Sequence, residues 1–251
     1  MIRLDKLVSE NSVLTRSQAS KAIRSGKVTV NGITVSRPEQ KTDENVDTVC
    51  LEGIPIRYRQ FHYYLLDKPT GVITASRDRR AETVLDLIPP EIRKQGIFPV
   101  GRLDKDTSGL LLLTDDGQFA HQVISPGKNV EKIYLAEVEG ILKPDSEILF
   151  QNGIILKDGT CCLPAKLQIL GENCCQVTVC EGKYHQVRRM LAAVGNPVIS
   201  LRRIAIGRLF LPVDSIQGSW REMTEEEREL VFFRVSDDGK EEEQNTDCLQ
   251  R

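Results

Sequence analysis

The sequence predicts an α+β protein: a small basic module followed by a larger domain with a mixed, mainly antiparallel sheet. Three observations lead there. Short apolar runs of strand length recur along most of the chain between turn residues, while helical patterns are fewer and do not alternate with the strands. The first thirty residues hold Arg3, Lys6, Arg16, Lys21, Arg24 and Lys27 against only Asp5 and Glu10. The length of 251 residues exceeds the usual single domain, which leaves room for one large domain and a small companion.

Leu4, Leu7 and Val8 fall at helical spacing and open the small module. A second helix follows, with Thr15 and Gln18 at capping-box spacing, Ala19, Ala22 and Ile23 as its apolar face and Gly26 as its stop. Val28-Thr29-Val30 and Ile33-Thr34-Val35 flank Asn31-Gly32, the strongest short hairpin signal. The charged stretch 38–60 reads as the end of this module plus a linker, giving a boundary near residue 60. Beyond it, strands are expected at 63–66, 72–75, 110–114, 134–138, 174–179 and 204–211. Helices are expected at 83–88, 118–123, 143–151, 186–194 and 225–232. The last of these is capped by Thr224 and Glu227, so its acidic first turn is accounted for by capping and the helix dipole. Residues 61–235 form the second domain in this reading, and 236–251, polar and acidic, a disordered tail.

The segment Gly101-Arg102-Leu103-Asp104-Lys105-Asp106-Thr107-Ser108-Gly109 sets a charged loop against four leucines, Leu110 to Leu113. A buried strand can hold such a loop rigidly, and polar loops on rigid scaffolds are where catalytic groups concentrate. Asp104 is therefore the first candidate for chemistry. Asp106, two residues on, could make a carboxylate pair, but glycosidases set their pair across the scissile bond, about 5 Å or more apart. Asp106 is read as organising the loop.

The same segment resembles the catalytic motif of the RNA pseudouridine synthases, in the branch of ribosomal small subunit pseudouridine synthase A. Three further blocks follow that family's pattern: Asp67-Lys68-Pro69-Thr70-Gly71, Glu131-Lys132-Ile133-Tyr134, and Glu181-Gly182-Lys183-Tyr184-His185-Gln186-Val187-Arg188-Arg189-Met190. The N-terminal module, with Arg3-Leu4-Asp5-Lys6 and Gly26-Lys27-Val28-Thr29-Val30-Asn31-Gly32, looks like an S4 RNA-binding domain. The resemblance implies a catalytic domain whose sheet is divided by an RNA cleft. It also implies isomerisation of uridine to pseudouridine by a carboxylate, with no cofactor and no metal.

The resemblance assigns that carboxylate to Asp104 and an active-site ring to Tyr134, which can stack on uracil. It makes Arg188 the basic partner that keeps Asp104 ionised. Arg102 is expected to fill the space left by the extruded base, and Arg189 to meet RNA phosphate. Lys68 supports the loop from beneath, while His185 is read as part of a strand-to-helix turn rather than as a catalyst. The six basic residues of the module, Arg3, Lys6, Arg16, Lys21, Arg24 and Lys27, are expected to dock RNA. Tyr184-His185-Gln186-Val187 resembles the small-subunit type, which points to 16S ribosomal RNA at the 516-equivalent uridine. A large-subunit enzyme and a non-catalytic RNA-binding assembly protein remain open alternatives.

Composition agrees with an RNA partner once charge is read locally, because the net charge of −2 averages a basic start with acids after residue 221. Seven cysteines, none in Cys-x-x-Cys spacing, and three histidines offer no zinc pattern. Reduced thiols in a cytoplasmic protein are expected. No run of about 18 apolar residues is present to span a bilayer, and Met1-Ile2-Arg3-Leu4-Asp5 lacks the apolar stretch of a signal peptide. The expected partner is ribosomal RNA or an assembling small subunit, met by a monomer without membrane attachment.

Overall fold

The computed structural model describes residues 1–235 apart from Asn45, Arg57, Lys94 and Gln95, and the stretch read as an acidic tail lies outside them. The chain divides into two units, the first ending at Phe61 and the second beginning at His62. The first contains β1 (Ile2–Arg3), α1 (Leu4–Glu10), α2 (Arg16–Arg24), β2 (Val28–Val30), β3 (Ile33–Thr34), β4 (Lys41–Thr42), β5 (Val49–Leu51) and β6 (Ile54–Ile56). Thr15 and Gln18 close the capping box on α2 in both directions. Asn31 and Gly32 both take positive φ, as a two-residue hairpin turn requires. Leu4, Leu7, Val8, Ala19, Ile23 and Val28 form this unit's core.

The stretch 38–60 holds more than a linker. Glu52 and Gly53 make a second positive-φ turn between β5 and β6, and β5 pairs with β2, so the four strands run in the order β3-β2-β5-β6. The charged flanks of these three-residue strands hid them.

The second unit contains β7 (Tyr63–Lys68), α3 (Pro90–Arg93), β8 (Phe98–Pro99), β9 (Thr107–Thr114), α4 (Gly117–Ile124), β10 (Lys132–Val138), α5 (Asp145–Gln151), β11 (Lys166–Ile169) and β12 (Cys174–Val179). It continues through α6 (Gln186–Ala193), β13 (Val198–Ile206), β14 (Leu209–Phe210), β15 (Trp220–Glu222) and α7 (Glu225–Leu230). The sheet order is β11-β12-β10-β13-β9-β7-β15, with β14 on β13 and β8 on β9. Among the described strands of this sheet, only β9 and β13 pair in parallel. β9 is buried along its whole length because both faces are covered: Leu110 and Leu112 enter one core with Phe119 and Val123 of α4, while Leu111 and Leu113 enter another with Val84, Leu85 and Ile88. Asp67 of β7, fully buried, accepts from Arg202 of β13 at 2.6 Å, tying the strands on either side of β9.

Three expected elements differ. The stretch 72–75 is not a strand but makes a single bridge, Ile73 to Thr83. The stretch 83–88 is a series of turns: Asp86 accepts from the backbone and the hydroxyl of Thr83, as at a helix start, but Pro89 and Pro90 stop a helix before it gains length. Its apolar residues still bury. The strand expected over 204–211 breaks at the two-residue turn Gly207-Arg208 into β13 and β14. A side chain at Gly207 would meet the Val231 carbonyl at 2.2 Å. Among the described residues no helix is long and apolar enough to cross a membrane.

Candidate active site

A cleft of about 980 Å³ in the second unit is lined by Arg102, Asp104, Tyr134 and Arg188, four of the residues singled out from the sequence. The loop that carries Asp104 is fixed mainly through its backbone. Thr74 Oγ1 donates to the Leu103 carbonyl at 2.7 Å and accepts from the Leu103 amide at 3.2 Å. The Gly71 amide donates to the Lys105 carbonyl at 2.9 Å, and the Thr107 amide to the Asp104 carbonyl at 3.1 Å. This explains the fate of 72–75, whose polar groups serve the loop instead of a ladder.

Beneath the loop lies Lys68, fully buried. Its ammonium donates to the carbonyls of Pro69 (2.9 Å), Lys105 (3.3 Å) and Thr107 (2.8 Å). Burial pushes its pKa down to about 8, against the attraction of Asp104 and Asp106. Three carbonyls are thus gathered by one cation, and the loop between them is held in a single shape.

Asp104 keeps 34% of its side-chain surface exposed to the cleft. The basic side chain within 4.0 Å of its carboxylate is not Arg188 but His185, whose Nε2 lies 3.4 Å from Asp104 Oδ1. Arg188 reaches the same loop one step away, Nη2 donating to the Asp106 carbonyl at 2.9 Å. The expected pairing of Arg188 with the Asp104 carboxylate is corrected accordingly: the arginine grips the loop's backbone. His185 stands before α6 with φ +48°, a left-handed conformation uncommon outside glycine. It is held there by Gln186, whose side chain accepts from the Lys183 amide and donates to Glu181, each at 2.9 Å. Tyr184 stacks on the His185 ring with centroids 3.8 Å apart.

Tyr134 lies on β10, opposite Arg203 of β13 across a bulge. Arg102 is exposed at the cleft wall. Arg189 is not part of the lining: it pairs with Asp158 at 2.5 Å, which counts against the expected phosphate contact. Asp158 in turn has its pKa lowered to about 2, chiefly by hydrogen bonds from Thr160 and then by Arg189.

Sequence reading passed over Thr74, Lys132, Thr107 and Arg203, and placed His185 in a strand-to-helix turn, where it lies, without giving it a role at the carboxylate. Lys132, in the block that drew attention to Tyr134, is buried and donates to the carbonyls of Val123 (3.0 Å) and Val130 (2.7 Å). Burial, with Arg203 nearby, pushes its pKa down to about 8. Thr107 Oγ1 and Arg203 Nη2 are buried with no hydrogen-bond partner among the described residues, and both residues line the cleft. Gly109 pairs with Arg203 in the parallel ladder, where a Cβ would fall 2.2 Å from the Arg203 carbonyl oxygen, so no other residue fits without parting the strands.

Of the six basic residues in the first unit, all exposed, four have acidic neighbours. Arg3 and Arg16 lie 2.8 and 3.5 Å from the buried Asp5, holding its carboxyl below the usual range. Lys6 lies 3.7 Å from Glu10, and Lys27 lies 2.6 Å from Glu52. Lys21 and Arg24, both on α2, have no acid within 4.0 Å among the described residues.

Comparison with known proteins connects this arrangement to a chemistry. The family model for RNA pseudouridylate synthase matches residues 62–193, and that for the S4 domain matches residues 2–46. The chain is 38% identical to the RNA pseudouridine synthase YtzG of Bacillus subtilis, over 92% of this chain and 98% of the relative. It is 39% identical to ribosomal small subunit pseudouridine synthase A of Vibrio cholerae (90% and 97%) and 37% identical to the Escherichia coli protein of the same name (90% and 98%). A solved structure described as a pseudouridylate synthase matches with a TM-score of 0.65 and 36% identity, over 92% of this chain and all of the other.

Proposed function

Because the chain belongs to the RNA pseudouridylate synthase family and acts on RNA, we propose that it converts one uridine of small-subunit ribosomal RNA to pseudouridine, with Asp104 as the reacting carboxylate. The observation that carries the assignment of Asp104 is the investment of structure in its loop. Lys68, Thr74, Gly71 and Arg188 all bind the backbone of 103–107, while the Asp104 carboxylate is left open to the cleft. A group held this rigidly is preorganised to attack or to stabilise charge, and it needs no reorientation in the transition state.

In this reading the uridine is extruded into the cleft and stacks on Tyr134, which projects from β10 beside Arg203. Arg102, exposed at the wall, offsets part of the few kcal/mol that extrusion costs. His185, added by the geometry, orients the Asp104 carboxylate from 3.4 Å away, and Arg188 holds the loop. Lys21 and Arg24 supply phosphate contacts that position the RNA. The small-subunit choice rests on the names of relatives that match along nearly their whole length. The proposed setting is the cytoplasm, with the protein acting as a monomer on ribosomal RNA or an assembling small subunit.

Pseudouridine mapping of both ribosomal RNAs, from cells with the protein, without it, and with Asp104→Asn in its place, tests the reading. One small-subunit site should vanish in the last two. Purified Asp104→Asn should bind RNA within about twofold of wild type while losing turnover by roughly a thousandfold or more. Loss of a large-subunit site would replace the substrate and keep the chemistry; full turnover by Asp104→Asn would end the assignment of the carboxylate.

A further inference from the structure

We propose that Arg203 is a catalytic residue whose free guanidinium nitrogen donates to a carbonyl oxygen of the extruded uracil and stabilises the negative charge that collects on the base during isomerisation. The inference rests on the pseudouridine synthase reading and extends it to a residue outside the motifs that carried it.

Arg203 is 4% exposed, yet it borders the cleft that holds Asp104 and Tyr134. Its Nε is used, donating to the Leu110 carbonyl at 2.7 Å, which fixes the plane of the guanidinium. Its Nη2 is buried with no hydrogen-bond partner among the described residues. Among the described residues no carboxylate lies within 4.0 Å of it, and its charged neighbour Lys132 is another cation. An arginine cannot shed its proton to escape this, and an unpaired buried donor on a cation is costly. The chain even gives up a side chain to seat it: Gly109 lets β9 approach the Arg203 backbone closer than any Cβ allows. A cationic donor fixed at the cleft wall, with no carboxylate within 4.0 Å among the described residues, is suited to charge that develops there during reaction. A backbone phosphate stays with its strand when a base is extruded, so the group that reaches this depth is the base.

The chemistry supplies such a charge by either route open to Asp104. Attack at C1′ breaks the C1′–N1 bond and leaves its electron pair on the uracil ring, shared among N1, O2 and O4. Attack at C6 instead breaks the C5–C6 π bond and lodges the pair as an enolate on O4. In the first route C5 then displaces the Asp104 carboxylate from C1′; in the second the C1′–N1 bond breaks, C5 bonds to C1′ and the carboxylate leaves C6 as the C5–C6 double bond re-forms. In both, the C5 proton is lost, N1 ends protonated, Asp104 is released as a free carboxylate and the base is again neutral. Between those events a carbonyl oxygen carries negative charge, and Nη2 is the donor available to it.

The test is an atom-replacement cycle in single turnover, on the small-subunit RNA fragment identified by mapping, with uridine, 2-thiouridine or 4-thiouridine at the target. Sulfur accepts hydrogen bonds poorly, so if Arg203 donates to one oxygen, its replacement and Arg203→Met remove the same interaction. Arg203→Met is expected to slow the uridine reaction by about tenfold to a hundredfold with RNA affinity nearly unchanged. At one of the two positions the sulfur effect seen in wild type should differ from that in the variant by about tenfold. Additive effects at both positions, with wild-type turnover intact, would overturn the role of Arg203 and leave the synthase reading standing. Absence of pseudouridine formation by wild type would instead remove the reading beneath it. If Arg203→Met does not fold, Arg203→Lys carries the same cycle, because an ammonium drawn to the Leu110 carbonyl stops short of the place held by Nη2.

Discussion

Lys68 shows how much a single buried side chain can organise. As an ammonium it has three N–H bonds for three carbonyls; as a neutral amine it has two. With its pKa near 8 in the folded protein and 10.5 in the unfolded chain, its charge is lost from the native state first. Activity and stability then run in opposite directions. Between about pH 8 and 10.5 the unfolded chain binds the proton more tightly than the native state does, so this group's contribution to stability rises with pH. The loop, however, loses one of its ties. The single-turnover rate is expected to fall as pH rises through about 8 while resistance to urea does not fall with it. Lys132, with a similar pKa, is the control: Lys132→Met should leave the descending limb in place, and its disappearance would assign the limb to Lys132. Lys68 was legible as a support because it sits in a motif. The approach of His185 to Asp104 and the place of Arg203 were not: one depends on a left-handed backbone and the other on strand register, and neither shows in residue order.

At the scale of elements, α2 carries the most specific expectation. Its apolar face, Ala19, Ala22 and Ile23, is buried, and its outer face presents Lys21 and Arg24 with no acid within 4.0 Å among the described residues. Replacing both by Gln should weaken RNA binding and reduce the slope of log affinity against log salt by about 1 to 2, as expected for two lost phosphate contacts. The same change at Lys6 and Lys27, which have carboxylates nearby, should alter the slope less. An equal loss from both pairs would show that the neighbouring acids do not matter. Capping boxes at Thr15 and Thr224, the Asn31-Gly32 turn and the buried leucine strand were all readable because each is a local rule obeyed locally. The stretches 72–75 and 83–88 were misread where tertiary demands prevailed: Thr74 is committed to Leu103, and two prolines stop a helix that Thr83 and Asp86 would otherwise begin. The strands β5 and β6 escaped because three residues are too few to show a period.

For the whole molecule, the two units have separate cores and separate sheets, so each should fold without the other. A fragment of residues 62–235 is expected to melt cooperatively within about 5 °C of one transition of the full chain, and to bind RNA less tightly than the full chain does. A fragment lacking a cooperative transition would show that the second unit depends on the first. Within that unit, the order of assembly follows from the parallel pairing of β9 with β13. The aspartate loop is synthesised by residue 106, but the edge of β9 at 107–109 remains open until β13 has left the ribosome, and Arg203 arrives only then. A growing chain can therefore complete its RNA-binding module more than a hundred residues before it can assemble a competent cleft. The emerging enzyme passes through a period in which it is able to hold RNA and unable to alter it.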